Sequence, residues 1–221
     1  MNLSRKNKTP WPTKDAMTQV YDMNLWGGDA HEFYSGEGSH LTKFVAPYIT
    51  VVQSFLQSFS NPLTVCDLGC GDFNIGKELV KYSKNYIAVD IVENLIIRNQ
   101  TRFKDENLEF KCIDIAKDQW PKGNCVILRQ VLQHLSNNEI ASIVSKLTEY
   151  KYVILTEHLP QDDFIANTDI ISGQGIRLKN NSGVNILAEP FNVKVNDVQE
   201  LLAIPLDNNK GIIKTYLYTC F

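Results

Sequence analysis

The run CDLGCGDF at residues 66–73 constrains this chain most. Apolar residues lead into it from Leu63, Gly69 and Gly71 follow one residue apart, and a segment with helical periodicity opens at Ile75. A strand, a tight glycine turn and a helix in that order surround a ligand with backbone N–H groups and a helix N-terminus. The dinucleotide pattern G-x-G-x-x-G is missing, because its third position is Asn74. Asp67 and Asp72 also flank the turn. Two carboxylates repel a pyrophosphate and suit a cationic ligand.

The rest of the chain repeats the strand–helix alternation. Short apolar runs at 63–68, 86–90, 108–114, 125–128 and 152–155 read as strands, and the segments at 75–82, 92–103 and 140–147 read as helices. Before them, Phe44, Tyr48, Val52, Phe55 and Phe59 share one face of a helix for which Ser39 is the expected N-cap and Asn61-Pro62 the stop. Continuous apolar strands between amphipathic helices indicate a mostly parallel sheet covered on both faces, one doubly wound α/β domain over 1–221. Two β-rich runs, 198–206 and 212–220, are joined by a turn at 207–211 as a C-terminal hairpin. Residues 1–40 form an N-terminal arm and lid and 41–221 the core. The first 25 residues read either as a frayed tail or as an arm lying over the protein. Residues 159–195 carry Pro160, Gly173, Gly175, Gly183 and Pro190 without a helical stripe, and a loop that long is usually functional.

Composition removes several classes. The formal charge is −3, and no basic run exists beyond Arg5-Lys6-Asn7-Lys8, so no nucleic-acid partner is expected. The five cysteines form no C-x-x-C pair and read as buried free thiols of a reducing compartment. No apolar stretch approaches the roughly 20 residues of a membrane span, and no apolar core follows the basic N-terminus as in a signal peptide. A cytoplasmic protein without a membrane partner is expected. Histidine, cysteine and acid spacings give no zinc motif, so no metal is expected.

The loop resembles motif I of the class I S-adenosylmethionine-dependent methyltransferases, an acid-x-Gly-x-Gly at the end of the first strand, with Phe73 where many members have a third glycine. The resemblance implies a seven-stranded Rossmann-like sheet with an antiparallel C-terminal hairpin, and S-adenosylmethionine as cofactor. It assigns the methionine amino end to Asp67, close backbone approach to Gly69 and Gly71, the ribose hydroxyls to Asp90, and the adenine amino group to Asp114 with Ile91 and Ile115 flanking the ring. Arg129 and Gln130 match the turn after the fourth strand that faces methionine and substrate. The stretch WGGDAHEFYSGEGSH at 26–40 also resembles a segment upstream of motif I in bacterial methyltransferases of glycan and natural-product modification. Each acid has a structural alternative: Asp67 as a helix cap, Asp90 as a solvated strand end, and Asp114 as one of two neighbouring acids with Asp118.

The expected reaction is methyl transfer to an oxygen or nitrogen of a small-molecule acceptor, a sugar or glycan precursor or a natural-product intermediate. The alternatives are an RNA or protein methyltransferase and a non-catalytic cofactor-binding protein. His158, Glu157 and His134 are the candidate bases, since they follow the fourth and fifth strands at the ligand edge of a parallel sheet. His31 and His40 lie in or beside the glycine-rich stretch, as structural or functional residues. Tyr34, Ser35 and Ser39 are expected at the methionine end of the cofactor and Trp26 over the acceptor, in a lid that otherwise only covers the sheet edge. Asn167, Asp169 and Arg177 are expected to shape the acceptor pocket, Arg177 as an anion clamp or a surface salt bridge.

Overall fold

A computed structural model describes residues 10–29, 32–207 and 210–221; His31 and the middle of the 207–211 turn lie outside them. Strands β1 (Thr64–Leu68), β2 (Asn85–Asp90), β3 (Leu108–Cys112), β4 (Cys125–Arg129) and β5 (Tyr152–Leu159) are followed by β6 (Asp197–Pro205) and β7 (Ile212–Thr219). They form one sheet in the order β3-β2-β1-β4-β5-β7-β6. The first five are parallel, and β7 runs antiparallel to both β5 and β6. The order reverses between β1 and β4, so the carboxyl ends of these strands open a crevice where ligands bind in such sheets.

Helices cover both faces. On one, Tyr48, Val52 and Leu56 of α2 (Thr42–Gln57) pack with Val65, Ile127 and Ile154, beside Ile96 of α3 (Glu93–Arg102). On the other, Ile140, Ile143, Val144 and Leu147 of α4 (Asn137–Leu147) meet Val126, Leu128, Val153 and Leu155. Each such buried side chain contributes roughly 1.5–3 kcal/mol of transfer free energy. No helix among the described residues is long and apolar enough to cross a membrane.

Several local expectations change. Residues 75–82 form two short 3-10 turns, Gly76–Glu78 and Val80–Tyr82, in place of one helix. The cause lies at Phe73, which takes a left-handed φ of 64° and turns its fully buried ring into the core. There it stacks edge-on against Tyr86, Phe103 and Phe110, and a side chain at Gly76 would collide with it. Ser39 closes a 3-10 turn (Glu37–Ser39), and Leu41 is the N-cap of α2. The N-terminal arm contains α1 (Thr13–Asp22), so of the two readings for the first residues the described part is an arm. Its signals are Pro12 ahead of the first turn and Met17, Val20 and Tyr21 at three- and four-residue spacing. The crossover at 160–196 carries a two-residue ladder, Ile165–Ala166 with Ser182–Gly183, and a 3-10 turn at Arg177–Asn180. Of the cysteines, Cys66 and Cys125 are buried, Cys70 and Cys220 partly so, and Cys112 is exposed; all are free thiols.

Candidate active site

The glycine loop follows β1 at the crevice. Gly69 and Gly71 adopt left-handed φ values of 82° and 55°. A side chain at Gly69 would strike Val131, and one at Gly71 would strike Ser35, so both glycines serve close packing of the loop. Asp67 is buried and accepts a hydrogen bond from the Tyr86 hydroxyl at 2.9 Å. Burial raises its pKa to about 7, against the Tyr86 hydrogen bond that lowers it. Asp90 ends β2, equally buried, and its two oxygens accept the N–H groups of Gly71 at 3.1 Å and Val92 at 3.0 Å. Burial outweighs these donors and raises its pKa. Each Asp90 oxygen keeps a lone pair for a further donor.

A cavity of about 350 Å³ opens above these residues. Its walls include Asp67, Gly69, Gly71, Asp90, Ile91, Asp114, Ile115, Arg129 and Gln130, and, from the arm, Trp26, Ser35 and Ser39. Asp114 is engaged locally as well: it accepts the Ala116 N–H at 3.0 Å and pairs with Lys117 at 2.8 Å. Arg129 ends β4 with its guanidinium 4.8 Å from the Tyr48 ring. It donates to the Ser39 hydroxyl at 3.2 Å and to the Gly38 carbonyl, while its Nε is buried without a partner.

The arm docks on the same loop. Ser35 N–H donates to Asp72 Oδ2 at 2.8 Å, and Asp72 N–H donates back to the Ser35 hydroxyl at 2.8 Å. His40 Nε2 lies 2.6 Å from Asp72 Oδ2, and the Asn74 amide donates to the Ser39 carbonyl at 2.8 Å. Asp72 therefore anchors the arm. Tyr34 stacks on His40, with ring centroids 4.3 Å apart, and is absent from the cavity wall.

Of the three expected bases, His134 alone lines this cavity. Burial depresses its pKa to about 4, so the ring is neutral at physiological pH, and it packs against Trp26 with centroids 5.1 Å apart. Glu157 accepts the N–H groups of Leu132 at 3.2 Å and Gln133 at 2.9 Å. His158 Nε2 lies 2.8 Å from the Lys210 carbonyl. Neither lines the cavity; the turn after β4 engages Glu157 and the Lys210 carbonyl engages His158.

The three expected acceptor contacts of the long loop lie outside the cavity as well. Arg177 is 1% exposed and donates to the carbonyls of Leu132, Gln133, Leu135 and Thr168 and to Asn137 Oδ1. It is neither an anion clamp nor a surface ion pair; it satisfies the backbone of the turn after β4. Asn167 bridges the carbonyls of Asn185 and Glu189 at 2.8 Å each. Asp169 accepts the Asn137 N–H at the start of α4. The loop thus braces the turn after β4, and its contribution to the cavity wall comes from Gln174 and Ile176.

Sequence reasoning missed Thr13, Met17, Tyr21, Gln133 and Glu139 in the wall. Glu139 gathers the hydroxyls of Thr13, Ser136 and Ser172, tying the arm, α4 and the long loop together. The only signal for it was Ser136-x-x-Glu139, a capping box whose serine accepts the Glu139 N–H.

Residues 65–150 match the family model of a methyltransferase domain. No curated protein matches the chain in sequence. Among solved structures, the chain is similar to the N-methyltransferase NodS from Bradyrhizobium japonicum WM9 in complex with S-adenosyl-L-homocysteine, with TM-score 0.64, 10% identity, and coverage of 93% of this chain and 99% of that one. Magnesium protoporphyrin IX methyltransferase from Synechocystis PCC 6803, with bound SAM, gives TM-score 0.62 and 14% identity over 97% of this chain and 100% of that one. Human N-acetylserotonin methyltransferase in complex with SAM gives TM-score 0.53 and 16% identity over 90% of this chain, which spans 61% of that structure's length.

Proposed function

We propose that this chain is a class I S-adenosylmethionine-dependent methyltransferase that transfers a methyl group to an oxygen or nitrogen atom of a small molecule. The observation that carries the reading is the single cavity that joins the glycine loop to an arm-covered aromatic wall. Its residues suit the cofactor. Asp67 is a buried carboxylate with one hydroxyl partner, a site for an ammonium group. Asp90 has free lone pairs for two hydroxyls, and Ile91 and Ile115 supply apolar faces for a purine. S-adenosylmethionine supplies an activated methyl on its sulfonium; the chain's part is to align the nucleophile and exclude water.

The arm supports a small acceptor over RNA or protein. Trp26, Ser35, Gly36 and Ser39 line the cavity from above, pinned through Asp72, Asn74 and Arg129. On this reading the acceptor side is the part of the wall made by Tyr21, Trp26, Gln133, His134, Gln174 and Ile176. Arg129 is the one cationic side chain among the described wall residues, and both of its terminal nitrogens already donate to the arm. An uncharged acceptor, such as a natural-product intermediate, fits this wall better than a phosphorylated sugar precursor. Incubation with methyl-labelled cofactor and fractionated metabolite pools tests the reading. Label in uncharged small molecules is the expected result; label confined to RNA or protein overturns it.

A further inference from the structure

His134 is the one candidate base in the cavity wall, so the position of its ring proton decides its role. Its neighbour Gln133 is buried and held at three points. The Gln133 N–H donates to Glu157 Oε2 at 2.9 Å, the His158 N–H donates to Gln133 Oε1 at 3.0 Å, and Gln133 Nε2 lies 3.2 Å from His134 Nε2. A backbone N–H only donates, so the Gln133 atom facing His158 is the amide oxygen. The amide NH₂ then faces His134, and an NH₂ group also only donates. His134 Nε2 must accept, and a neutral imidazole that accepts at Nε2 carries its hydrogen on Nδ1. A protonated ring would set two donors against each other across this contact. Burial and the nearby Arg177 guanidinium keep the ring uncharged, against the backbone of Gly173, Gln174 and Gly175, and Nδ1 is buried without a hydrogen-bond partner.

We propose that Gln133 is a positioning residue that locks His134 as the neutral Nδ1–H tautomer, which makes the imidazole an aromatic wall beside Trp26 and removes it as the base. This rests on the methyl-transfer reading for its consequence, not for its geometry. With the Nε2 lone pair engaged by Gln133 and Nδ1 protonated, the ring has no free lone pair for a substrate proton. The acceptor class narrows to nucleophiles that need no deprotonation by histidine, such as an uncharged amine or a readily ionised phenol. In such a transfer the nucleophile's lone pair forms the bond to the methyl carbon. The carbon–sulfur bond breaks with its pair left on sulfur, and any proton on the nucleophile passes to bulk water before binding, for a phenol, or after product release, for an amine.

The test is nitrogen-15 NMR of the histidine rings in the full chain at neutral pH, with His134 assigned through a His134→Gln variant. Wild type is expected to show His134 protonated at Nδ1 with a pyridine-like Nε2. Gln133→Glu places an acceptor opposite Nε2 and is expected to move the proton to Nε2. Circular dichroism and S-adenosylhomocysteine calorimetry on the same samples report folding and cofactor binding separately. Should Gln133→Glu fail to fold, Gln133→Leu replaces it, and the signals of Nδ1–H and Nε2–H forms are then expected in exchange. An Nε2–H or charged His134 in wild type overturns the proposal, as does a ring unchanged in a folded Gln133 variant. The predicted tautomer in a chain that binds no S-adenosylhomocysteine leaves the lock standing and sinks the methyl-transfer reading.

Discussion

Ser35 and Asp72 exchange two hydrogen bonds, each residue's backbone N–H donating to the other's side chain at 2.8 Å. The pair joins the N-terminal arm to the glycine loop, and the Tyr21 hydroxyl adds a third contact at 3.0 Å from Ser35 Oγ. The N-terminal arm is therefore fixed to the glycine loop.

Ser35→Ala removes the acceptor of the Asp72 N–H and the partner of Tyr21. A lost buried hydrogen bond of this kind costs about 1–3 kcal/mol. Amide exchange across residues 32–40 is expected to accelerate tenfold or more while the β1 amides keep their protection. Unchanged exchange in the arm would show that the pair does not hold it.

If Asp67 holds the cofactor's amino group, its raised pKa of about 7 is expected to make cofactor uptake depend on pH. An ammonium group favours the ionised form, so S-adenosylhomocysteine affinity is expected to fall as pH drops below about 7. The free chain behaves oppositely. Between the usual 3.8 and about 7 the folded state keeps a proton that the unfolded state has lost. That contribution to stability is complete below the lower value and is lost as pH rises through the upper one. Calorimetry from pH 5.5 to 8.5 should show the slope in wild type and a flatter profile in Asp67→Asn. Parallel profiles would remove Asp67 from the amino-group site.

Glu157, pushed by burial to about 8 from 4.5, carries the same sign. Urea unfolding of wild type and Glu157→Gln should show the wild type losing ground to the variant as pH rises from 5 to 9. A difference independent of pH would contradict a buried carboxyl at this position. The comparison is between variants because His134, depressed to about 4 from 6.5, contributes stability that is lost as pH falls.

The sheet was legible because its strands are continuous apolar runs broken by glycine and acid, a pattern that burial on both faces imposes. The crevice was legible for a related reason: Asp67 lies in β1, Asp90 ends β2 and Asp114 follows β3, and all three line the cavity at the carboxyl ends of the strands. The long loop misled, since Arg177 and Asn167 look like free polar groups in sequence. Their partners are backbone carbonyls of a turn 42 to 45 residues earlier, for Arg177, or of a loop 18 residues later, for Asn167, which no local pattern encodes. His134 lies in the turn after β4, whereas Glu157 lies within β5, which runs on to Leu159 beyond the expected 152–155 strand.

Arg177→Met leaves several buried carbonyls of the β4–α4 turn without donors. A loss of about 3 kcal/mol or more in unfolding free energy is expected, with a lower midpoint in thermal unfolding. A variant of native stability with a weakened KM alone would return Arg177 to the acceptor site.

The most direct test of the account is calorimetric titration of the full chain with S-adenosylhomocysteine, in wild type and in Asp90→Ala. Removing an acceptor for two hydroxyls costs about 1.5–3 kcal/mol where the bonds involve a charged group. The account predicts one-site binding to wild type, weakened tenfold or more in Asp90→Ala with the circular dichroism spectrum unchanged. Binding of NAD with no response to S-adenosylhomocysteine, or equal affinity in both chains, would contradict it.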